Sequence, residues 1–140
     1  VVDVSEAGDL IEVPIRWSDV DRQGHVNNVS LAGYLQEARI LATTSWSPGM
    51  RRAGNYLWVV VRQDIRYRRQ VLPTQRSCRV HTALTRLGTS SMTLAGSIAT
   101  EEGSALDAAT VLVCVDPKTG ASVPIDDQTR QALSAYLVTV

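Results

Sequence analysis

Three successive runs of alternating apolar and polar residues and a fourth strand-like run, preceded by a single stripe at helical spacing, leave few folds open to this chain. From Leu57 the period is two: Val59, Val61, Ile65 and Tyr67 are expected on one face, and Arg62, Asp64, Arg66 and Arg68 on the other. Cys78, Val80, Thr82 and Leu84 then alternate with Arg79 and His81, and after Gly88 the residues Met92, Leu94, Gly96 and Ile98 alternate with Thr93 and Ser97. A last run from Ala105 to Val115 ends at Asp116-Pro117-Lys118-Thr119-Gly120, where proline and glycine force a turn. Connections of hairpin length make such strands antiparallel, and a sheet of this kind needs one apolar face covered.

The cover comes from upstream. Leu31, Leu35, Ala38 and Ala42 recur at helical spacing, with Tyr34 and Leu41 widening the stripe, until Ser47-Pro48-Gly49 breaks it. Ala32, Gly33 and Ala38 are small enough to let a sheet curl closely around that helix. Residues 10 to 17, LIEVPIRW, read as a first strand in which Pro14 marks an edge or a bulge. Residues 51 to 56 read as a polar loop, and residues 126 to 137 as a short closing helix with Leu133 and Leu137 on one side. The fold class is α+β: a curled, mostly antiparallel sheet wrapped around one long central helix.

The 140 residues suit a single domain, 1–140, whose first nine residues are expected to be a loose end. Fourteen basic and fourteen acidic residues leave no net charge, which removes the bulk electrostatic case for nucleic acid or an anionic membrane as partner. No apolar run reaches membrane-spanning length and no signal-like segment opens the sequence, so a cytoplasmic location is expected. Cys78 and Cys114 form no CxxC pair, and with two histidines they build no spaced zinc site; no metal or cofactor is expected.

The chemistry is concentrated in DVDRQGHVNN, residues 19 to 28. Asn27 and Asn28 stand where the helix begins, so one of them can cap it. A helix start carries unpaired N–H groups and a positive dipole end, able to polarise a carbonyl without a cationic side chain. Gly24 permits a turn or the close approach of a substrate to the backbone. His25 can orient a water, a carboxylate or the capping Asn. Asp21 is the candidate for delivering water to a carbonyl or attacking it, and Asp19 reads as structural or solvent-facing.

The stretch RWSDVDRQGHVNNVSLAGYLQEAR followed by LWVVVRQDIRYRRQVLP resembles the hot-dog-fold acyl-CoA thioesterases, the group of 4-hydroxybenzoyl-CoA thioesterase and the bacterial long-chain acyl-CoA thioesterases. The D-x-x-G-H-V-N-N run is also similar to plant acyl-ACP thioesterases. The resemblance implies hydrolysis of acyl-CoA to free acid and CoA, with Asp21 as general base or nucleophile, His25 in support, and the backbone N–H of Asn28 on the thioester carbonyl. It further implies a homodimer or homotetramer with sites at the dimer interface, and an acyl-CoA substrate bound around Gly24, Asn27 and Leu31. Gln23 stands where the plant enzymes carry a proposed catalytic Asn.

Coenzyme A brings phosphates, for which Arg68 and Arg69, beside Arg66, are the candidates; Arg51, Arg52 and Arg86 are alternatives. The chain departs from the family at Leu31, usually aromatic in the long-chain enzymes, at Gln70, usually proline, and in RLGTSS, where Arg86 alone is basic. Two other readings accompany the leading one: acyl-ACP hydrolysis, and a non-catalytic acyl-CoA-binding module, since folds outlive their chemistry.

Overall fold

The computed structural model describes residues 8–51 and 56–138. In chain order it contains β1 (Asp9–Pro14), α1 (Asn28–Trp46), β2 (Leu57–Tyr67), β3 (Ser77–Leu87), β4 (Ser91–Thr100), β5 (Gly103–Val115) and α2 (Asp127–Ser134), with short 3-10 turns at Trp17–Asp19, Pro48–Arg51 and Pro73–Gln75. The five strands form one antiparallel sheet in the order β1-β3-β4-β5-β2. Strand β1 lies at one edge, where Pro14 withholds no ladder bond from an outer neighbour. It starts at Asp9, inside the stretch expected to be loose, and stops at Pro14, because Trp17–Asp19 turns instead of continuing the strand. Residues 1–7, and 52–55 of the expected polar loop, lie outside the described residues.

The 19-residue α1 connects the two edges of the sheet and packs on β1, β3 and β4. Leu31, Tyr34, Leu35 and Ala38 join Val13, Val80, Ile98 and Leu106 in one core cluster. Ala42 and Trp46 join Leu84, Met92, Leu94, Leu112 and Leu133 of α2 in a second. The expected stripe holds except at its margin: Leu41 is half exposed, whereas Arg39 and Thr43 on the opposite flank are buried. Close approach of helix to sheet is achieved by the sheet's glycine: a Cβ on Gly96 would stand 3.1 Å from the Leu35 side chain, while Gly33 is exposed with nothing within 4 Å of its Cβ position. Gly33→Ala should therefore stabilise the chain by roughly 0.5–1 kcal/mol through helix propensity, which urea denaturation would register as a raised midpoint at unchanged slope.

Strands β3 and β4 bury the faces that the alternation assigned, and β5 buries Thr110, Leu112 and Cys114 in alternation towards its end. Strand β2 does not. Its register against β5 slips between Val60 and Arg62, so Val61 is an extra residue and the faces exchange across it. Trp58, Val60, Gln63, Ile65 and Tyr67 consequently share the side of Leu106, Thr110, Leu112 and Cys114, whereas Val59 shares the outer side with Arg62, Asp64 and Arg66. Val59 and Val61 thus do not share a face with Ile65 and Tyr67, as a strict period of two would require. The strand is also an open edge, with Val60 47% and Val61 58% exposed. At the chain's end α2 buries Leu133, while Leu137 is exposed and forms a bridge to Leu84. No helix among the described residues is long and apolar enough to cross a membrane.

Candidate active site

The loop from Asp19 to Asn27 is a closed unit at the start of α1. The Asn27 N–H donates to the Asp19 carbonyl at 2.8 Å, the Asp21 N–H to the His25 carbonyl at 2.9 Å, and the Gly24 N–H to the Asp21 carbonyl at 3.1 Å. Gly24 sits at φ +79°, the left-handed conformation that a side chain would strain. Val26, buried in the core, donates its N–H to the Val71 carbonyl at 2.8 Å, tying the loop to the segment after β2.

This folding aims the polar groups. Asp21 is partly buried, and its Oδ1 accepts from the N–H groups of Gln23 at 2.9 Å and His25 at 3.3 Å. Its Oδ2 has no protein partner among the described residues. His25 is partly buried with a buried Nδ1 that likewise lacks one. Asn27 is the cap of α1: its Oδ1 accepts from the Val29 N–H at 2.8 Å, and its carbonyl accepts from Leu31. Asn28 is the first helical residue, exposed, and the N–H groups of Asn28 and Ser30 have no partner among the described residues. A carboxyl oxygen and helix N–H groups, all without a partner among the described residues, thus stand on one short, pinned segment.

Residues 15–133 match the model of the thioesterase-like superfamily. The chain belongs to that superfamily. The YsmA protein of Bacillus subtilis strain 168 is 31% identical over 123 residues, 87% of this chain and 82% of its own. The PA2801 protein of Pseudomonas aeruginosa superposes with a TM-score of 0.77 at 31% identity, over 89% of this chain and 96% of its own. A thioesterase of Thermus thermophilus, solved with coenzyme A and zinc, gives a TM-score of 0.76 at 28% identity, over 91% and 92% of the two chains. Membership of the thioesterase-like superfamily bears out the resemblance carried by residues 16 to 73 and makes thioester hydrolysis the chemistry of the class.

The remaining sequence candidates lie outside the Asp19–Asn27 loop. Leu31 is 2% exposed and packs in the core beneath the first turn of α1. Arg68 is paired with Asp107, and the exposed Arg69 has Glu102 at 4.0 Å, so an incoming phosphate would compete with a carboxylate for either. Cys78 and Cys114 are buried and unpaired, and burial pushes both thiols up to about 11, which makes them poor nucleophiles near neutrality. No three His, Cys, Asp or Glu side chains converge among the described residues. A cavity of about 520 Å³ lies at the far end of α1, bounded by Ser47, Pro48, Tyr56, Asp126 and Thr129, and none of the candidate residues lines it.

Sequence reasoning missed the meeting of β2 with α1, and left open which of two roles Asp19 takes. The Tyr67 hydroxyl reaches the Asn28 carbonyl at 3.4 Å, so the end of β2 meets the first turn of α1; only the β2 edge position brings them together. Asp19, expected to be structural or solvent-facing, is structural and buried. It accepts from the Tyr34 hydroxyl at 2.5 Å and pairs with Arg16 at 3.1 and 3.2 Å. The Arg16 hydrogen bonds, then that of Tyr34, hold its carboxyl below the ordinary value, while burial and the same carboxylate push the Tyr34 phenol up and keep it a donor. A carboxyl whose folded pKa is depressed contributes stability above its unfolded pKa and loses it as the pH falls through the folded value. The stability advantage of wild type over Asp19→Asn should therefore be full at pH 7 and shrink once the pH drops below the ordinary aspartate value of 3.8. Denaturant titrations at pH 7 and pH 3 measure the difference; an equal gap at both would remove the charge of Asp19 from the account.

Proposed function

We propose that this chain hydrolyses acyl-CoA thioesters to free acid and CoA at the start of α1. One observation carries the reading: the free Oδ2 of Asp21 and the unpartnered N–H groups of Asn28 and Ser30 belong to a loop closed on itself by the Asn27–Asp19 and Asp21–His25 bonds. Asp21 takes a proton from water, the water oxygen bonds to the carbonyl carbon, and the resulting oxyanion is held by the Asn28 N–H and the helix dipole. Collapse breaks the C–S bond, and the CoA thiolate leaves and takes up the proton. In the nucleophilic variant Asp21 itself attacks the carbonyl carbon, the C–S bond breaks and the CoA thiolate leaves, and water cleaves the mixed anhydride to the free acid and the restored Asp21 carboxylate. His25, with Nδ1 unsatisfied inside the protein, orients the water.

Gly24 leaves room beside the loop for the thioester, since nothing lies within 4 Å of its Cβ position, and Asn27 fixes the helix start. Leu31 shapes the floor beneath it, and Arg68 and Arg69 serve the CoA phosphates. The coenzyme A bound by the Thermus thermophilus thioesterase supports the choice of carrier. The open, apolar edge of β2 supports assembly as a dimer joined through β2, or a tetramer built from such dimers, with each site completed at the interface. The test is thiol release from short, medium, long and aromatic acyl donors, each on CoA and on acyl carrier protein. Release from CoA donors above carrier-protein donors is expected. Faster release from the carrier protein would reassign the carrier, and binding of acyl-CoA with no release from any donor would leave a binding module.

A further inference from the structure

Arg76 holds a backbone conformation that an arginine ordinarily avoids. Its φ of 63° is the one positive φ outside glycine among the described residues. The accompanying ψ of −39° puts it outside the small left-handed region that other residues visit. Two bonds impose the shape where the chain leaves the Pro73–Gln75 turn and enters β3: the Arg76 N–H donates to the Pro73 carbonyl at 3.2 Å, and the Arg76 carbonyl accepts from the Ile15 N–H at 2.8 Å. Glycine would take this conformation without strain. Strain of this kind persists where something compensates it, and it gathers at functional positions. The described residues supply no compensation, for Arg76 is exposed and its guanidinium has no hydrogen bond and no ion pair among them.

Two segments bound the Asp21 loop, residues 16–27 and 68–76, and most of their arginines are engaged. Arg16 is paired with Asp19, Arg68 with Asp107, and Arg69 has Glu102 at 4.0 Å. Arg22 and Arg76 have no carboxylate to displace, and of these only Arg76 is strained. Its segment starts beside the site: the Val71 carbonyl accepts from Val26, just before α1, and five residues then lead to Arg76, at most about 18 Å away. Across the Ile15–Arg76 bond the other segment runs on to Trp17, no more than about 7 Å further. That indole is 88% exposed, more than any other large apolar side chain among the described residues. An uncovered aromatic face and an uncommitted guanidinium on adjoining segments suit a flat base that carries a phosphate. The base stacks on the ring, and two parallel N–H donors meet the phosphate oxygens.

We propose that Arg76 and Trp17 bind the nucleotide end of coenzyme A, the guanidinium on the ribose 3′-phosphate and the indole against the adenine. The inference rests on the acyl-CoA function proposed above for the start of α1. Adenine and 3′-phosphate sit on the same ribose, so one nucleotide meets both side chains while the pantetheine arm carries the thioester to the first turn of the helix. The contact that compensates the backbone of Arg76 is then made in the complex and not in the free protein.

The test follows hydrolysis of one acyl group carried on CoA, on 3′-dephospho-CoA and on pantetheine, by wild type, Arg76→Gly, Arg76→Lys and Trp17→Ala. Wild type is expected to use the CoA donor with a KM at least tenfold below that of the pantetheine donor. Arg76→Gly raises the KM for CoA at least fivefold, to that of the dephospho donor, with the loss in KM rather than kcat; Arg76→Lys keeps part of the difference. Trp17→Ala raises KM for both nucleotide donors and not for pantetheine. Urea denaturation distinguishes this from a structural role, since Arg76→Gly should unfold at a higher midpoint than wild type while binding CoA less well. A lower midpoint, a preference for CoA over its dephospho form that survives Arg76→Gly, or a KM raised equally on all three donors would overturn the proposal. So would a Trp17→Ala protein altered only in its oligomeric state. Calorimetric titration with CoA, 3′-dephospho-CoA and pantetheine should give the same ranking without turnover. Should no thioester be cleaved, the proposed function fails, while CoA binding that weakens in Arg76→Gly would still uphold the nucleotide site and its absence in wild type would not.

Discussion

Asp21→Asn is expected to lower kcat for thioester hydrolysis by a factor of about 10² to 10⁴, the range typical for loss of a positioned acid–base group. The substitution is chosen because the loop should survive it. The amide oxygen of Asn can still accept from the N–H groups of Gln23 and His25, the two bonds that Asp21 Oδ1 makes now. The charge is what disappears, and with it the ability to take a proton from water or attack the carbonyl. Affinity for acyl-CoA should change little, since the first-turn N–H groups and the Asn27 cap remain. Steady-state kinetics with a thiol-trapping reagent, beside binding of a non-hydrolysable acyl-CoA analogue, separates the two effects. An Asp21→Asn enzyme with wild-type turnover would take the carboxylate out of the mechanism.

The second large effect is expected at the edge of the sheet. Replacing Val59 and Val61 together by Asp puts four carboxylates into the joint where two β2 edges would meet, because a two-fold interface takes the same patch from both copies. Like charges in such a contact cost several kcal/mol, enough to weaken self-association about a hundredfold or more. The fold itself should be retained, because Val61 is the extra residue of the bulge and is exposed, and Val59 faces outward beside Arg62 and Asp64. Sedimentation should show the dimer proposed for wild type replaced by monomer, circular dichroism an unchanged fold, and hydrolysis a loss that tracks dissociation. A variant that remains dimeric would exclude β2 as the joint; a fully active monomer would show that one copy completes the site.

Both predictions depend on features of unequal visibility in the sequence. The side-chain bonds of the Asp21 loop span four residues or fewer: Asp21 with Gln23 and His25, and Asn27 with Val29. Residues that meet at that range do so through backbone geometry, so the spacing D-x-x-G-H-V-N-N already specified a glycine turn and a capped helix start. The exposure of β2 was not visible. Its valines read as a covered face, because a period of two carries no information about a bulge or about which strand closes the sheet.

The sequence alone determined the order of elements, the alternation that buries one side of β3 and β4, and the chemistry gathered before α1. These follow from local propensity and periodicity, which act between near neighbours. Tertiary structure alone decided that Asp19 is sealed under Tyr34 and that Tyr67 meets the first turn of α1 across 39 residues. Each depends on how far round the helix a side chain lies relative to the strands beneath it, a rotation fixed by packing Leu35 onto Gly96 and by nothing within the helix itself.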